Sequence, residues 1–192
     1  MPLSNSDYLR PEELDMKRAV GPLNRKNISI SPNFRRSDWQ LALANNDWKR
    51  MVEIFEDRIE GRFLSPIRHI ASDRDIGEFA GFSILALDCL IIETMHQFHR
   101  GIDETENNHS KAFWEFFRDS EFFRPHFSKK RAEIFYSHIR CGLLHQAQTK
   151  KKSLVRMDQK EMIQAVYENL SEGIIIDRSI FHDALEWKSA PT

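Results

Sequence analysis

Arg140 and His145 are separated by four residues in the segment FYSHIRCGLLHQ. A guanidinium is charged at every physiological pH and grips phosphate through two parallel N–H donors, while an imidazole gains and loses its proton near neutrality. Together they suit phosphodiester chemistry. The imidazole takes the proton of a ribose 2′-hydroxyl or gives one to the departing 5′-oxygen. The guanidinium binds the phosphate and stabilises the charge that builds in the transition state. This scheme calls for no metal and no cofactor, and no carboxylate pair lies in the segment.

An ideal helix turns about 500° over five residues, which leaves the two side chains roughly 140° apart and about 7.5 Å along the axis. Bringing them together calls for a local distortion near Gly142 or a two-fold dimer whose paired helices pool their Arg and His in one cleft. Gly142 would admit a partner backbone. Glu93, an acid in an otherwise apolar helix, is a candidate to orient Arg140 or His145, or else a structural partner of an arginine in the core, with Asp88 a weaker candidate a turn earlier. Tyr136 precedes Arg140 by one turn, on the same face, where it stacks on a base or packs inside. His138, two residues before Arg140, faces elsewhere or is a surface histidine.

The 192 residues carry a net charge of −1, yet the window from Arg124 to Arg156 holds nine Lys or Arg against Glu133 alone. It sums to +8 against −9 for the remainder. Such a window draws an anionic polymer, and Lys150, Lys151 and Lys152 are candidate RNA phosphate contacts. The rival is a solvated face and loop. Glu93-x-x-His96, with His99 one turn on, matches half of a di-iron carboxylate site, but the chain offers no second Glu-x-x-His. The aromatic run Phe113, Trp114, Phe116, Phe117, Phe122 and Phe123 reads as core or dimer seam ahead of a stacking platform.

The elements that must position these residues read as helices. Length and composition fit one domain with extensions. Residues 1–36 form an extended arm with a short helix near Glu12–Ala19. The helical core covers 37–157. A first helix carries Trp48, Val52, Phe55, Ile59 and Phe63 until Pro66 interrupts it. A central apolar helix runs from Gly77 to about Phe98, with Gly101 as its cap. Ser110 caps a short aromatic helix, and Ser128 caps a long one from Lys129 to Gln146.

A C-terminal extension, 158–192, carries a helix over Asp158–Ser171 with Met162, Val166 and Leu170 on one face, and a last helix near Arg178–Trp187. Ile174–Ile176 is the one β-like run. The expected architecture is all-α, a bundle of four or five main helices with accessory pieces. Cys89 and Cys141 lack disulfide or zinc spacing. The start lacks a signal-peptide layout and the longest apolar stretch is too short to span a bilayer, which points to a cytoplasmic protein without membrane partners.

The order RFLSPIRHI, GFSILALDCLIIETMHQFHRG, FWEFF and FYSHIRCGLLHQAQ, over roughly Asn46–Thr149, resembles the HEPN superfamily of helical "higher eukaryotes and prokaryotes nucleotide-binding" domains. Many members are metal-independent endoribonucleases of anti-phage defence, toxin–antitoxin pairs or RNA processing, with an Arg, four to six residues, then His at a dimer interface. The resemblance implies that Arg140 and His145 are catalytic, that RNA is the substrate and that the chain is a homodimer, with an antitoxin or regulatory protein as a further partner. The products implied are 2′,3′-cyclic phosphate and 5′-hydroxyl ends. The alternative within the same fold is a non-catalytic module that binds RNA, a nucleotide or a protein. Cys141 replaces the polar residue frequent after the motif arginine. Ala147 replaces the tyrosine on which some members are nucleotidylated, so that regulation is not implied.

Overall fold

The computed structural model describes residues 28–105 and 109–189. The short helix near Glu12–Ala19 and most of the arm lie outside them. The chain divides into two compact units at Ile54/Phe55.

In the first unit, a turn closed by Phe34 N–H on Ser31 Oγ leads into α1 (Arg36–Ala44), whose Asp38 carboxylate accepts from the Arg35 N–H at 2.6 Å. Reaching back in this way, a carboxylate in the first turn satisfies a donor the helix cannot. Helix α2 (Trp48–Ile59) begins after Asp47, whose side chain accepts from the Arg50 N–H. Ala42, Met51 and Ile54 make a small core with Ile30, Phe34 and Trp39. Of the stripe expected here, Ile59 is buried and Phe55 and Phe63 pack half-buried against the core, but Trp48 and Val52 are exposed and Met51 and Ile54 are buried instead.

In the second unit Pro66 does not end the helix. A π turn (Glu60–Leu64) joins α2 to α3 (Ser65–Ser72), and Pro66 falls in the first turn of α3, where its missing N–H is least costly. Helix α4 (Gly81–Arg100) contacts α3 and α5 (His109–Asp119), burying Ile84, Leu85, Cys89, Ile91 and Ile92, and Gly101 ends it at φ 64°. Phe113, Phe116 and Phe117 of α5 are buried among Phe123, Phe127, Phe135 and Phe181, with Phe117 stacked on Phe127 at 3.9 Å. Of the aromatic run, Phe113, Phe116, Phe117 and Phe123 are core, Trp114 packs half-buried against it, and Phe122 is exposed.

The expected helix from Lys129 is one continuous rod in three parts: α6 (Lys129–Ile134), capped by the Ser128 hydroxyl; a π segment (Phe135–Arg140); and α7 (Cys141–Gln146).

The expectation of an all-helical chain is corrected beyond this point. The fold is mostly helical, but β1 (Leu154–Arg156), β2 (Ile163–Ala165) and β3 (Ile174–Asp177) form a sheet in the order β1-β3-β2. Val155 and Ile163 both sit opposite Ile176, in parallel and antiparallel pairing respectively. The helix expected over Asp158–Ser171 is absent. Met162 and Val166 are both buried, but so is Ile163 between them, and pairing with the Ile174–Ile176 run overrides a helical period of three residues.

The Asp177 carboxylate accepts from Ser179 and Ile180 N–H and so caps α8 (Arg178–Ser189). Helix α8 packs on α4, where His182 Nδ1 lies 2.8 Å from Asp88 Oδ1. Among the described residues no helix is long and apolar enough to cross a membrane.

Candidate functional site

Two helices bring the candidate residues together. Near the middle of α4, Glu93 faces the end of the π segment, and its carboxylate accepts from Arg140 Nε at 2.7 Å and Nη2 at 3.1 Å. This side-on pair holds the guanidinium plane through two parallel bonds. Burial alone would lower the Arg140 pKa, but Glu93 outweighs it and the net shift is upward, so the guanidinium stays charged.

The remaining terminal nitrogen, Nη1, lies 3.3 Å from His145 Nε2. A guanidinium has no acceptor, so this hydrogen bond requires Arg140 to donate and Nε2 to be the unprotonated ring nitrogen. His145 itself is exposed, in the last turn of α7, which ends at Ala147 with φ 53°. The apparent mismatch of 140° is resolved within one chain because the arginine stem spans the turn that separates the two residues.

The other named residues fall as follows. Tyr136 is half-buried, its ring 5.7 Å from the Arg140 guanidinium carbon and packed against Phe113. Burial, a hydrogen bond to Cys141 and that residue's charge push its hydroxyl up to about 12, so it is a donor and not a base. Tyr136 and Cys141 are five residues apart, the hydrogen-bonding interval of a π turn, and Cys141 N–H does bond to Tyr136 O. The sequence singled out Cys141 only as a departure from a motif. Its contact with Tyr136 depends on a π segment that periodicity does not announce.

Gly142 does not wait for a partner backbone. Its own chain fills that place: a Cβ there would stand 2.4 Å from Gln148 O and 3.3 Å from Lys150 N, and Lys150 N–H donates to His138 O at 2.9 Å. The strand of chain leaving the motif helix thus doubles back across it. Gly142→Ala is expected to cost about 1–3 kcal/mol through overpacking, read as a lowered thermal midpoint.

His138 is buried beneath this crossing, with Nδ1 3.0 Å from Ser153 Oγ, which also accepts from Ile174 N–H. Burial, reinforced by Lys151 and Lys150, lowers its pKa from 6.5. The unfolded chain therefore takes up a proton that the folded chain resists. Stability from this group is present above about pH 6.5 and lost as the pH falls through the lowered value. Thermal midpoints measured from pH 7 to 5 should show this loss, and His138→Gln should remove its share.

Lys152 is drawn to Glu172 and lies 5.5 Å from the Tyr167 ring centroid; Lys151 is exposed and Lys150 half-buried beside His138. The half-motif Glu93-x-x-His96 does not assemble, since Glu93 turns to Arg140 while His96 Nε2 meets Glu115 at 3.0 Å. His99 is exposed. Among the described residues no group of three or more His, Cys, Asp or Glu is placed to hold a metal ion. Asp88 is fully buried and pairs with His182, away from Arg140's hydrogen bonds.

Comparison with family models, with curated proteins and with solved structures found no match for this chain. The site therefore stands on its own geometry: a guanidinium clamped from behind by a carboxylate, beside a solvent-facing imidazole.

Proposed function

We propose that this chain is a HEPN-like, metal-independent endoribonuclease whose catalytic residues are Arg140 and His145, with Glu93 positioning Arg140. The single observation that carries the reading is the hydrogen-bonded line Glu93–Arg140–His145, spanning two helices and ending at the surface. An RNA phosphate entering beside Arg140 takes over the Nη1 donor and frees His145 Nε2. The imidazole then accepts the 2′-hydroxyl proton as the 2′-oxygen attacks phosphorus, and the P–O5′ bond breaks. The 5′-oxygen receives a proton, leaving a 5′-hydroxyl and a 2′,3′-cyclic phosphate.

In-line displacement sets the 2′- and 5′-oxygens on opposite sides of phosphorus. A second copy of the chain, placed two-fold about this face, would supply an imidazolium for the leaving oxygen. Lys150 and Lys151, which follow the motif helix, are the proposed contacts to flanking phosphates, and Tyr136 is assigned to packing and to holding Arg140.

The test is incubation of the purified chain with single-stranded and total RNA in excess EDTA, followed by analysis of the product ends. Cyclic phosphate and 5′-hydroxyl ends are the expected result. RNA bound but uncut, with or without added metal, would replace this reading with that of a binding module on the same fold. Cleavage that needs metal would replace the mechanism.

A further inference from the structure

A guanidinium without a carboxylate partner lies buried at the opening of α8. Arg178 is 4% exposed. Its Nη2 donates to Gly77 O at 2.5 Å and touches Met157 Sδ, while Nη1 has no hydrogen-bond partner. The neighbouring Asp177 carboxylate does not supply one, because its oxygens are engaged by the N–H groups of Gln159, Ser179 and Ile180. Leaving a buried charged donor unmatched costs several kcal/mol in general, and proteins retain such groups where something else completes them.

Arg178 lines a cavity of about 120 Å³, roughly the liquid volume of four waters. Gly81 and Phe82, the first two residues of α4, line it too, and α4 begins with no side-chain cap. The first N–H groups of a 20-residue helix have no intrahelical acceptor and carry partial positive charge. The wall is close at Gly81: a Cβ would stand 3.2 Å from Arg178 Cδ and 3.1 Å from Val155 Cγ1, so both side chains would have to give by a few tenths of an ångström. Arg156 adds a second guanidinium, itself 3.4 Å from Asp158, and Glu78 is the carboxylate of the lining. Phe79 is 82% exposed and Phe82 41%, so two aromatic rings stand at the opening.

We propose that this cavity binds a phosphate group, held by Arg178 and the start of α4, and that the group arrives as the 5′-phosphate of a nucleotide whose base rests on Phe79. The helix terminus and the unmatched guanidinium each select a compact anion, and the exposed ring supplies a sequence-tolerant stacking surface. The site shares no residue with the Glu93–Arg140–His145 line, so it stands or falls apart from the nuclease reading.

Calorimetric titration of the full chain with inorganic phosphate, AMP and adenosine, at matched ionic strength, tests it. Phosphate and AMP should bind, AMP at least threefold tighter, and adenosine should not. Arg178→Met should weaken both by tenfold or more, and Phe79→Ala should remove only the AMP advantage.

A structural arginine and a ligand-binding one differ in the ligand-free protein. Gly77 O also accepts from Ala80 N–H, so removing an unmatched buried charge should leave the melting temperature of Arg178→Met unchanged or raised. Gly81→Ala keeps the charge and narrows the cavity, and should also weaken phosphate binding. Absence of phosphate binding by the unaltered chain overturns the proposal, as does equal binding in Arg178→Met or, should that variant not fold, in Gly81→Ala. Equal affinity for phosphate and AMP overturns the nucleotide part.

Discussion

His145→Ala is expected to lower RNA cleavage by about 10²–10⁴-fold, the range for losing a general base, while RNA binding and the melting temperature stay near those of the unaltered chain. The residue is exposed, and its removal leaves Arg140 still clamped by Glu93. Arg140→Ala should cost 10²–10³-fold or more in turnover, but here stability falls as well, because the Glu93 carboxylate is left 14% exposed with no cation. Converting both Glu93 and Arg140 to Leu separates the two effects: stability should return while cleavage does not. Arg140→Lys tests geometry, since a point charge cannot take the side-on grip and still reach His145. Glu93→Gln should lower kcat more than it raises KM if Glu93 acts by aiming the guanidinium. A pure change in stability, with kcat/KM intact at low temperature, would sink the assignment of Arg140 and Glu93 to the chemistry. Product ends and initial rates in EDTA provide the readout.

The sequence made the parts of this site visible but not its closure. Arg140 and His145 announce themselves by type, and Glu93 by being an acid in an apolar helix. Their meeting depends on the reach of one arginine stem, which a helical wheel drawn from Cα positions does not carry. Likewise Gly142 correctly signalled a close backbone approach, but the approaching backbone is Gln148–Lys150 of the same chain.

Charge segregation was legible along the chain and is partly undone in space. Glu93 and Glu172 fold back to pair with Arg140 and Lys152 of the basic window, and Asp158 just beyond it pairs with Arg156. The sheet was hidden because β1 and β2 are three residues each, too short for alternation to register. By contrast, α4 was readable as an element and at its glycine-closed end, although it starts at Gly81 and not at the expected Gly77. The π segments at Glu60–Leu64 and Phe135–Arg140 were not, because their extra residue per turn alters phase without altering composition.

The largest effect on stability is expected at Asp88 and His182, which no chemistry claims. Asp88 is fully buried in α4 and its Oδ1 is 2.8 Å from His182 Nδ1, while Glu186 lies 3.4 Å from the other ring nitrogen. Burial holds the Asp88 carboxyl above its ordinary range even with His182 beside it. For His182 burial alone would lower the pKa, but the hydrogen bond and charge of Asp88 outweigh it and the net shift is upward. His182→Ala strands a buried carboxyl and should cost about 3–5 kcal/mol. A paired change of Asp88→Leu with His182→Leu should recover most of that loss, because two well-packed apolar groups need no partner.

The pH dependence has a definite sign. The folded chain holds the His182 proton to higher pH than the unfolded chain, whose imidazole titrates near 6.5. This contribution is complete below about pH 6.5 and is lost as the pH rises through the raised value. Asp88 has the same sign but starts lower: its contribution is complete below about pH 3.8, where the unfolded carboxyl titrates, and is lost as the pH rises through the raised value. His138 slopes the opposite way below pH 6.5. The two histidines by themselves therefore place a maximum in the thermal midpoint near pH 6.5. The alkaline limb should flatten in Asp88→Asn with His182→Gln, and the acid limb should flatten in His138→Gln. A limb that persists after its own substitution would assign that dependence to other groups.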